Sequence, residues 1–220
     1  MKRYALIVAG GSGTRMGSTV PKQFLNLKGK PILMHTLHAF ASARVDEIIL
    51  VLPEAYIENW HSLCRSHQFI IPHKTVLGGD TRFASVQAGL RLVEDQALVA
   101  IHDGVRPVIQ GSLIQRSFET ALEHGSAIAA LPLKDSIRVR STEGHTESVN
   151  RADYFMVQTP QTFQSSLIKK AYDQYYDAAF TDDAGVFETL KKEVTLIPGD
   201  YKNIKITTPE DLAIAELFLA

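Results

Sequence analysis

A glycine-rich segment followed by two basic residues is the part of this sequence best suited to chemistry. Residues 9–17 read AGGSGTRMG, and residues 21–24 read PKQF. Glycines permit positive φ angles and let the backbone approach a ligand closely, and free backbone N–H groups bind anions. Arg15 and Lys22 add fixed positive charge beside them. The segment therefore predicts a polyphosphate site in which two cations neutralise charge on a transferring phosphoryl group.

Two common phosphate-binding motifs do not fit this segment. A P-loop requires GxxxxGK[ST], and the sequence contains no Gly-Lys-Ser or Gly-Lys-Thr. A dinucleotide fingerprint requires GxGxxG, but Met16 stands where the third glycine should be. Pro21 also argues against the long helix that should follow that fingerprint. The other interpretation is an ordinary glycine-rich turn in which Arg15 and Lys22 are merely solvated. The combination of the glycines, Arg15 and the Pro-Lys-Gln sequence disfavours it.

Composition limits the class of protein. The chain has 220 residues, of which 45% are hydrophobic and 21% charged, as in a soluble globular domain. A formal net charge of −1 argues against a generic nucleic-acid or membrane surface. The single Cys64 excludes an internal disulfide and suits a reducing cytoplasm. We therefore expect one cytoplasmic domain over residues 1–220, with neither a nucleic-acid nor a membrane partner.

Apolar runs rich in β-forming residues alternate with helical patterns along most of the chain. The patterns predict strands at 4–8, 47–52, 75–77, 98–102 and 127–132, with helices at 31–43, 53–67, 84–92 and 112–124. This alternation predicts an α/β fold, a Rossmann-like, mostly parallel sheet with helices on both faces. Further helices are predicted at 163–176, 182–190 and 212–219, and late strands at 194–197 and 204–206.

Residues 134–152 interrupt this alternation. The segment is polar, and residues 136–140 and 147–149 alternate like two strands around a turn at Glu143-Gly144. An isolated hairpin is only marginally stable in water. We therefore expect a protruding β-hairpin arm that docks on a second copy of the chain.

Polar groups follow several of the predicted strands, where ligands bind in open α/β sheets. They include GGDTRFAS at 78–85 after the third strand, Asp103 and Arg106 after the fourth, and Ser136 after the fifth, with Lys205 and Thr207 near the end. One such group is consistent with an ordinary cap or turn. Several together, all suited to phosphate, Mg²⁺ or a nucleobase edge, predict a common site.

Five segments resemble the 2-C-methyl-D-erythritol 4-phosphate cytidylyltransferase family, a CTP-using family of the non-mevalonate isoprenoid pathway within the nucleotidylyltransferase superfamily. They are AGGSGTRMG with PKQF (9–24), GGDTRFASVQAGL (78–90), HDGVRP (102–107), QTPQTF (158–163) and NIKITTPEDL (203–212). The resemblance implies transfer of CMP from CTP to 2-C-methyl-D-erythritol 4-phosphate, with release of pyrophosphate. The segments distinguish this family less well from ribitol-5-phosphate cytidylyltransferases, which remain an alternative.

The resemblance also implies roles for individual residues. Catalytic contacts to the phosphates are implied for Arg15, Lys22 and Lys205, and binding of Mg²⁺ or another divalent cation for Asp103. Nucleotide contacts are implied for Ala9, Gly10, Gly11, Ser12, Gly13, Gly79, Asp80 and Ser85. Contacts to the acceptor, a polyol phosphate, are implied for Arg106, Ser136, Arg151, Thr181 and Thr207. Ser136 and Arg151 would reach the acceptor from a neighbouring subunit of a homodimer.

The arm departs from the family pattern at two positions. Ser136 stands where the family often has Thr, and Asn150 stands where it often has Asp. Two other classes of protein also stay open. A nucleotide sensor would bind CTP without turnover, and a reductase would respond to NAD(H) or NADP(H) instead of CTP.

Overall fold

The computed structural model describes residues 1–10 and 20–219. Its strands are Arg3–Val8 (β1), Asn26–Leu27 (β2), Lys30–Pro31 (β3), Glu47–Leu52 (β4), Lys74–Leu77 (β5), Leu98–Asp103 (β6), Ser126–Pro132 (β7), Arg138–Arg140 (β8), Thr146–Ser148 (β9), Phe155–Gln164 (β10) and Leu196–Pro198 (β11). Its α-helices are Ile32–Ser42 (α1), Glu54–Ser66 (α2), Arg82–Leu90 (α3), Gly111–His124 (α4), Ser165–Tyr172 (α5), Asp183–Glu188 (α6) and Pro209–Phe218 (α7).

A seven-stranded sheet organises the molecule, in the order β5-β4-β1-β6-β10-β7-β11. The pairs β4/β5, β1/β4, β1/β6 and β7/β11 are parallel, whereas β10 runs antiparallel to both of its neighbours. The sheet is thus mostly parallel, as the sequence predicts. β1 lies beside β4 on one side and β6 on the other, so the order of the strands across the sheet reverses at β1.

Alternating side chains of the central strands form a core on each face. Ala5 and Ile7 of β1 pack with α1, α2 and α4, whereas Tyr4 and Leu6 pack with α3, α5 and α6. Successive residues of a strand point to opposite faces, and a parallel sheet needs helices on both. The predicted helices on both faces are therefore confirmed. None of the helices in the described ranges is both long and apolar enough to span a membrane.

The prediction of a helix beginning at Phe163 is wrong. Residues 155–164 form β10, an interior strand, and the helix begins at Ser165. Gln158, Thr159, Gln161 and Thr162 are buried in this strand, so it lacks the apolar pattern that marks most interior strands. Proline is also rare inside sheets, and here the pairing with β7 shifts its register between Val157 and Gln161, on either side of Pro160.

Two smaller predictions also differ from the structure. Residues 204–206 form no strand; Ile206 donates a single backbone hydrogen bond to Val105, 2.9 Å long, beside the cluster that packs α7. The helix predicted from residue 31 begins at Ile32, because Pro31 belongs to β3 and precedes the first helical residue.

The hairpin predicted within residues 134–152 is confirmed. β8 and β9 pair antiparallel as a sheet of their own, and their residues are exposed. Gly144 adopts a φ of 89° in the turn, a conformation that favours glycine.

Candidate active site

A cleft opens at the carboxyl ends of β1, β5 and β6. It encloses about 300 Å³ and is lined by Val8, Ala9, Gly10, Lys22, Gln23, Gly79, Asp80, Thr81, Arg82, Ser85, Asp103, Val105 and Lys205. These residues come from distant parts of the chain, and they meet because parallel strands direct their following loops to the same edge of a sheet.

Eight of the residues predicted from the sequence line this cleft. They are Ala9, Gly10, Lys22, Gly79, Asp80, Ser85, Asp103 and Lys205. The predicted contacts at Gly11, Ser12, Gly13 and Arg15 lie outside the described residues. The structure therefore brings together the described members of the predicted catalytic, nucleotide and metal sets, and their individual roles stay predictions.

Gln23 fixes the position of Lys22 relative to the end of β1. Its side chain is buried, and its Nε2 donates a 3.0 Å hydrogen bond to the carbonyl oxygen of Ala9. Lys22 and Gln23 share a 3-10 turn with Phe24, whose ring stacks on Trp60 with centroids 6.2 Å apart. The sequence predicted no role for Gln23, although this residue belongs to the PKQF segment. Its buried amide is what connects the two halves of the predicted phosphate site.

Residues 78–85, which we call the nucleotide loop after the contacts predicted for them, approach the cleft without room for an extra side chain. A Cβ atom on Gly79 would lie 2.5 Å from Cβ of Ala84, closer than real contacts permit. Thr81 caps α3 by accepting a 3.0 Å hydrogen bond from the N–H of Ala84. The hydroxyl of Ser85 donates to the carbonyl of Gly79 at 3.2 Å. These bonds fix the shape of the loop, in which Gly79, Thr81 and Ser85 line the cleft.

Asp103 is surrounded by three cationic side chains. Its Oδ2 lies 3.1 Å from Nζ of Lys205 and 3.3 Å from Nε of Arg106, and its Oδ1 lies 3.8 Å from Nε of Arg82. Burial raises the pKa of this carboxyl, but the three cations outweigh burial and hold the pKa well below its usual range. Asp103 is therefore ionised, and it balances the positive charge that the site gathers.

His102 is neutral, and it shares a hydrogen-bond partner, Thr159, with Asp103. Burial lowers the pKa of His102 to about 3, and its ring nitrogens lie 3.0 Å from Oγ1 of Thr159 and 3.3 Å from the carbonyl of Arg106. The same Oγ1 accepts a 3.1 Å hydrogen bond from the N–H of Asp103. Because the carbonyl of Arg106 can only accept, Nε2 carries the ring proton, and Nδ1 accepts from the hydroxyl of Thr159. The chain of bonds fixes the end of β6.

Arg106 connects Asp103 to the segment that carries Lys205. Its side chain is buried, and besides Asp103 its guanidinium donates a 2.8 Å hydrogen bond from Nη1 to the carbonyl of Asn203. Asn203 is in turn held by a 2.8 Å bond from its Nδ2 to the carbonyl of Thr159. The predicted contact between Arg106 and the acceptor stays a prediction. The structure adds a positioning role that the sequence did not suggest.

None of the predicted acceptor residues, Arg106 included, is among the residues that line this cleft. The hydroxyl of Thr207 donates to Oδ2 of Asp211 at 2.8 Å within the cap of α7, and Thr181 is exposed just before α6. Ser136 and Arg151 are exposed at the base of the arm, where Nη1 of Arg151 donates to the carbonyl of Lys134. Any joint action of these residues on an acceptor stays a prediction.

Arg82 also lines the cleft, although the sequence predicted no role for it. Its guanidinium binds Asp183 through two hydrogen bonds, of 2.9 Å and 2.6 Å, and also faces Asp103. Burial by itself lowers the pKa of Arg82, but Asp183 and then Asp103 raise it above its ordinary value, so the charge is retained. The sequence signal for Arg82 is its position between Thr81 and Phe83 in the nucleotide loop.

The carboxylate of Asp103 fits a divalent cation that is shared with a substrate. Within residues 1–10 and 20–219, no group of three His, Cys, Asp or Glu side chains is placed to hold a metal ion. Mg²⁺, however, is commonly held by one or two carboxylates together with substrate phosphates and water. The donor set therefore suits an ion that arrives with a bound triphosphate.

Comparison with known proteins decides the family. Residues 4–220 match the family model described as 2-C-methyl-D-erythritol 4-phosphate cytidylyltransferase. The chain belongs to this family. The 2-C-methyl-D-erythritol 4-phosphate cytidylyltransferase of Porphyromonas gingivalis is 50% identical over 219 residues, covering 99% of this chain and 98% of its own length. The enzyme of the same name from Bacteroides fragilis is 49% identical over 222 residues, covering 100% of both chains.

Solved structures of the cytidylyltransferase family share the fold of this chain over nearly its whole length. The Thermus thermophilus 2-C-methyl-D-erythritol 4-phosphate cytidylyltransferase is 31% identical, covers 100% of both chains and gives a TM-score of 0.82. The 4-diphosphocytidyl-2C-methyl-D-erythritol synthase of Anaerococcus prevotii is 29% identical, covers 99% of this chain and 98% of its own, and gives a TM-score of 0.84. The fold expected from the alternating strand and helix patterns and the family expected from the five segments are therefore confirmed.

Proposed function

We propose that this chain transfers CMP from CTP to 2-C-methyl-D-erythritol 4-phosphate, giving 4-diphosphocytidyl-2-C-methyl-D-erythritol and pyrophosphate. The observation that carries the proposal is one cleft in which Lys22, Asp103 and Lys205 meet the nucleotide loop and the end of β1. Membership of the cytidylyltransferase family supports the choice of both substrates. The cleft lies where ligands bind in open α/β sheets.

The chemistry is an in-line displacement at the α-phosphorus of CTP. A phosphate oxygen of the acceptor forms the new P–O bond, and the bond to the β-phosphate oxygen breaks, so that pyrophosphate leaves with its electron pair. A phosphate dianion is already nucleophilic near neutral pH, so the reaction needs no general base. The protein has to bring two anions together and neutralise the charge that develops between them.

Lys22 and Lys205 are suited to that electrostatic task. Both line the cleft, from the segment after β1 and from the segment before α7. Two unit charges about 4 Å apart interact by roughly 4 kcal/mol at an effective dielectric of about 20. Each ammonium group therefore offsets a substantial part of the repulsion between the acceptor phosphate and the triphosphate. We assign Arg15 the same role, together with phosphate contacts from Gly10, Gly11, Ser12 and Gly13.

Asp103 would hold Mg²⁺ or another divalent cation against the triphosphate. Its ionised carboxylate at the cleft wall supports this assignment. The bound ion would neutralise phosphate charge and order the triphosphate. Within the protein, Arg106 and Lys205 orient the carboxylate through Oδ2, while Arg82 stays 3.8 Å from Oδ1.

The arm supports a homodimer. Large apolar side chains are exposed next to it, and Tyr154, Phe155, Met156 and Val157 follow one another with 43% to 49% of each residue accessible. A concentration of exposed large apolar side chains commonly marks a protein interface. We infer that a second copy covers it and that Ser136 and Arg151 contribute to the acceptor site there. The single, partly buried Cys64 is consistent with a cytoplasmic location.

An assay of pyrophosphate release tests the activity. We expect release when CTP, Mg²⁺ and 2-C-methyl-D-erythritol 4-phosphate are all present, and much slower release when ribitol 5-phosphate replaces the acceptor. Faster release with ribitol 5-phosphate would show that ribitol 5-phosphate is the acceptor of this enzyme. Tight CTP binding without release for either acceptor would indicate a nucleotide sensor. A melting temperature that responds to NADPH but not to CTP with Mg²⁺ would indicate a reductase.

A further inference from the structure

A buried network connects α3, α5 and α6 behind the cleft. The guanidinium of Arg82 donates from Nη1 and Nη2 to the two carboxylate oxygens of Asp183, which is fully buried. The hydroxyl of Tyr172 donates a 2.6 Å hydrogen bond to Oδ1 of the same carboxylate. The ring of Tyr172 also stacks on Phe83, with centroids 4.6 Å apart. The ion pair and the three hydrogen bonds to the carboxylate of Asp183 make this a rigid junction.

The junction lies between two segments with different predicted ligands. Arg82 is the first residue of α3 and completes the turn of the nucleotide loop. Asp183 is the first residue of α6, and it follows Thr181, a predicted acceptor residue. A two-pronged arginine–carboxylate pair fixes orientation as well as distance. The pair therefore sets where the 181–183 segment lies relative to the nucleotide loop.

The start of α6 has a second anchor that does not involve Arg82. Gln161 of β10 accepts a 2.8 Å hydrogen bond from the N–H of Ala184 and donates one of the same length to Oδ2 of Asp182. Asp182 also caps α6 by accepting from the N–H of Gly185 at 2.9 Å. These bonds attach the start of α6 to β10, whereas the pair between Arg82 and Asp183 attaches it to the start of α3.

We propose that Arg82 is a positioning residue that joins the nucleotide side of the cleft to the acceptor side. Through Asp183 and Tyr172 it holds the 181–183 segment against the nucleotide loop, so that acceptor affinity depends on residues that touch neither substrate. The inference rests on the proposed function, because it concerns how the second substrate of that reaction is received. It adds Asp183 and Tyr172, neither of which lines the cleft.

Tyr172→Phe and Asp183→Asn test the proposal, with Tyr176→Phe as the matched control. Tyr172→Phe removes only the hydroxyl that binds Asp183. Tyr176 also packs on Phe83, with ring centroids 5.9 Å apart, but it is half exposed. We expect the acceptor KM to rise about threefold in Tyr172→Phe and about tenfold in Asp183→Asn, the effect of losing binding alone. The Kd of CTP without acceptor should stay within about twofold of wild type in both, and Tyr176→Phe should change neither constant.

KM separates this role from a merely structural one. A variant with less folded enzyme loses apparent turnover, but its KM is unchanged, because KM does not depend on enzyme concentration. An acceptor KM equal to that of wild type in Tyr172→Phe would overturn the proposal even if Asp183→Asn fails to fold. A Kd for CTP that rises as much as the acceptor KM would overturn it as well, because the effect would not then be confined to the acceptor side.

Hydrogen exchange gives a readout that does not need turnover. We expect CTP with Mg²⁺ to slow amide exchange in residues 183–188 of wild type and of Tyr176→Phe, and to slow it less in Tyr172→Phe. If wild type releases no pyrophosphate with either acceptor, the proposed function fails, while this CTP-dependent protection still supports the junction. No protection of α6 by CTP in wild type would overturn it.

Discussion

Nζ of Lys205 lies 3.1 Å from Oδ2 of Asp103, so the last segment before α7 is held against the end of β6. Asp103 is largely buried, whereas the side chain of Lys205 keeps 42% of its surface accessible. The ammonium group is therefore placed by the carboxylate and still open to a ligand in the cleft. A cation in this arrangement can stabilise the negative charge that develops on a phosphoryl group during its transfer.

Lys205→Ala should lower kcat by about a hundredfold, the usual effect of losing one transition-state donor. Steady-state pyrophosphate release at saturating CTP and acceptor measures it. Lys202→Ala is the matched control, since Lys202 is a nearby exposed lysine that does not line the cleft, and it should turn over like wild type. A Lys205→Ala enzyme within a few-fold of wild type would contradict the assigned role.

Lys22→Ala and Arg15→Ala should each slow turnover to a similar extent, on the order of a hundredfold. The reason is the same, because each removes a cation from the segment that follows β1. Single-turnover measurements with the enzyme in excess would show whether the chemical step is slowed. Near-normal rates in either variant would remove that residue from the catalytic set. Lys28→Ala, which changes an exposed lysine of the following turn, should leave the rate unchanged.

Much of the site was predictable, because its residues follow strands with clear apolar patterns. Asp103 directly ends the apolar run of β6, and the glycines before Asp80 end the run of β5. Rules for open α/β sheets then place both at one edge. The sequence also predicts the arm, because polar alternation around Gly144 is a local signal.

The remainder depends on tertiary contacts that no local pattern encodes. β10 is interior although four of its residues are buried polar side chains, and their partners come from distant segments. Gln161 bonds to the start of α6, and the hydroxyl of Thr159 bonds to His102. The pair between Arg82 and Asp183 likewise joins residues whose sequence contexts indicate only a helix start. Such partners become visible only once the fold is assembled.

Gly79→Ala should weaken CTP binding by about tenfold or more, because its Cβ would meet Cβ of Ala84 at 2.5 Å and displace the nucleotide loop. Isothermal titration calorimetry with CTP and Mg²⁺ measures the change. Gly111→Ala is the matched control, since a Cβ there meets nothing within 4 Å, and it should bind CTP like wild type. Unchanged CTP affinity in Gly79→Ala would show that the loop does not contact the nucleotide.

The stability of the fold should depend on pH through His102. Its pKa is about 3 when folded, against 6.5 for the ordinary group, because burial disfavours the charged ring. Between these values the unfolded chain binds the extra proton, so the free energy of unfolding falls as the pH is lowered from 6.5 towards 3. The full slope for one group is about 1.4 kcal/mol per pH unit. Urea denaturation at a series of pH values measures it.

His102→Gln should flatten that dependence, because glutamine does not titrate. His145→Gln, at an exposed position of the arm, should keep the wild-type slope. Both variants should be compared at pH 7.5 first, so that any loss of packing against Phe40 is measured separately. Equal slopes in wild type and His102→Gln would mean that the pKa of the ring is the same in the folded and unfolded protein.

Mixing two inactive variants tests whether Arg151 acts across a dimer interface. Lys205→Ala disables the site of its own subunit, and Arg151→Ala disables whichever site Arg151 serves. If Arg151 reaches the partner subunit, a heterodimer contains one site with both residues intact. Random pairing on co-expression should then restore about a quarter of wild-type activity, since half of the dimers are mixed and each has one working site.

The two variants purified separately and assayed together without subunit exchange provide the control, because they should remain inactive. Light scattering on each preparation establishes whether dimers are present. If co-expression restores nothing although heterodimers can be isolated with two different affinity tags, Arg151 serves its own subunit. A monomeric wild-type protein would contradict the proposed dimer. If wild type is dimeric, Phe155→Glu, which places a charge on the exposed apolar surface, should make the protein monomeric.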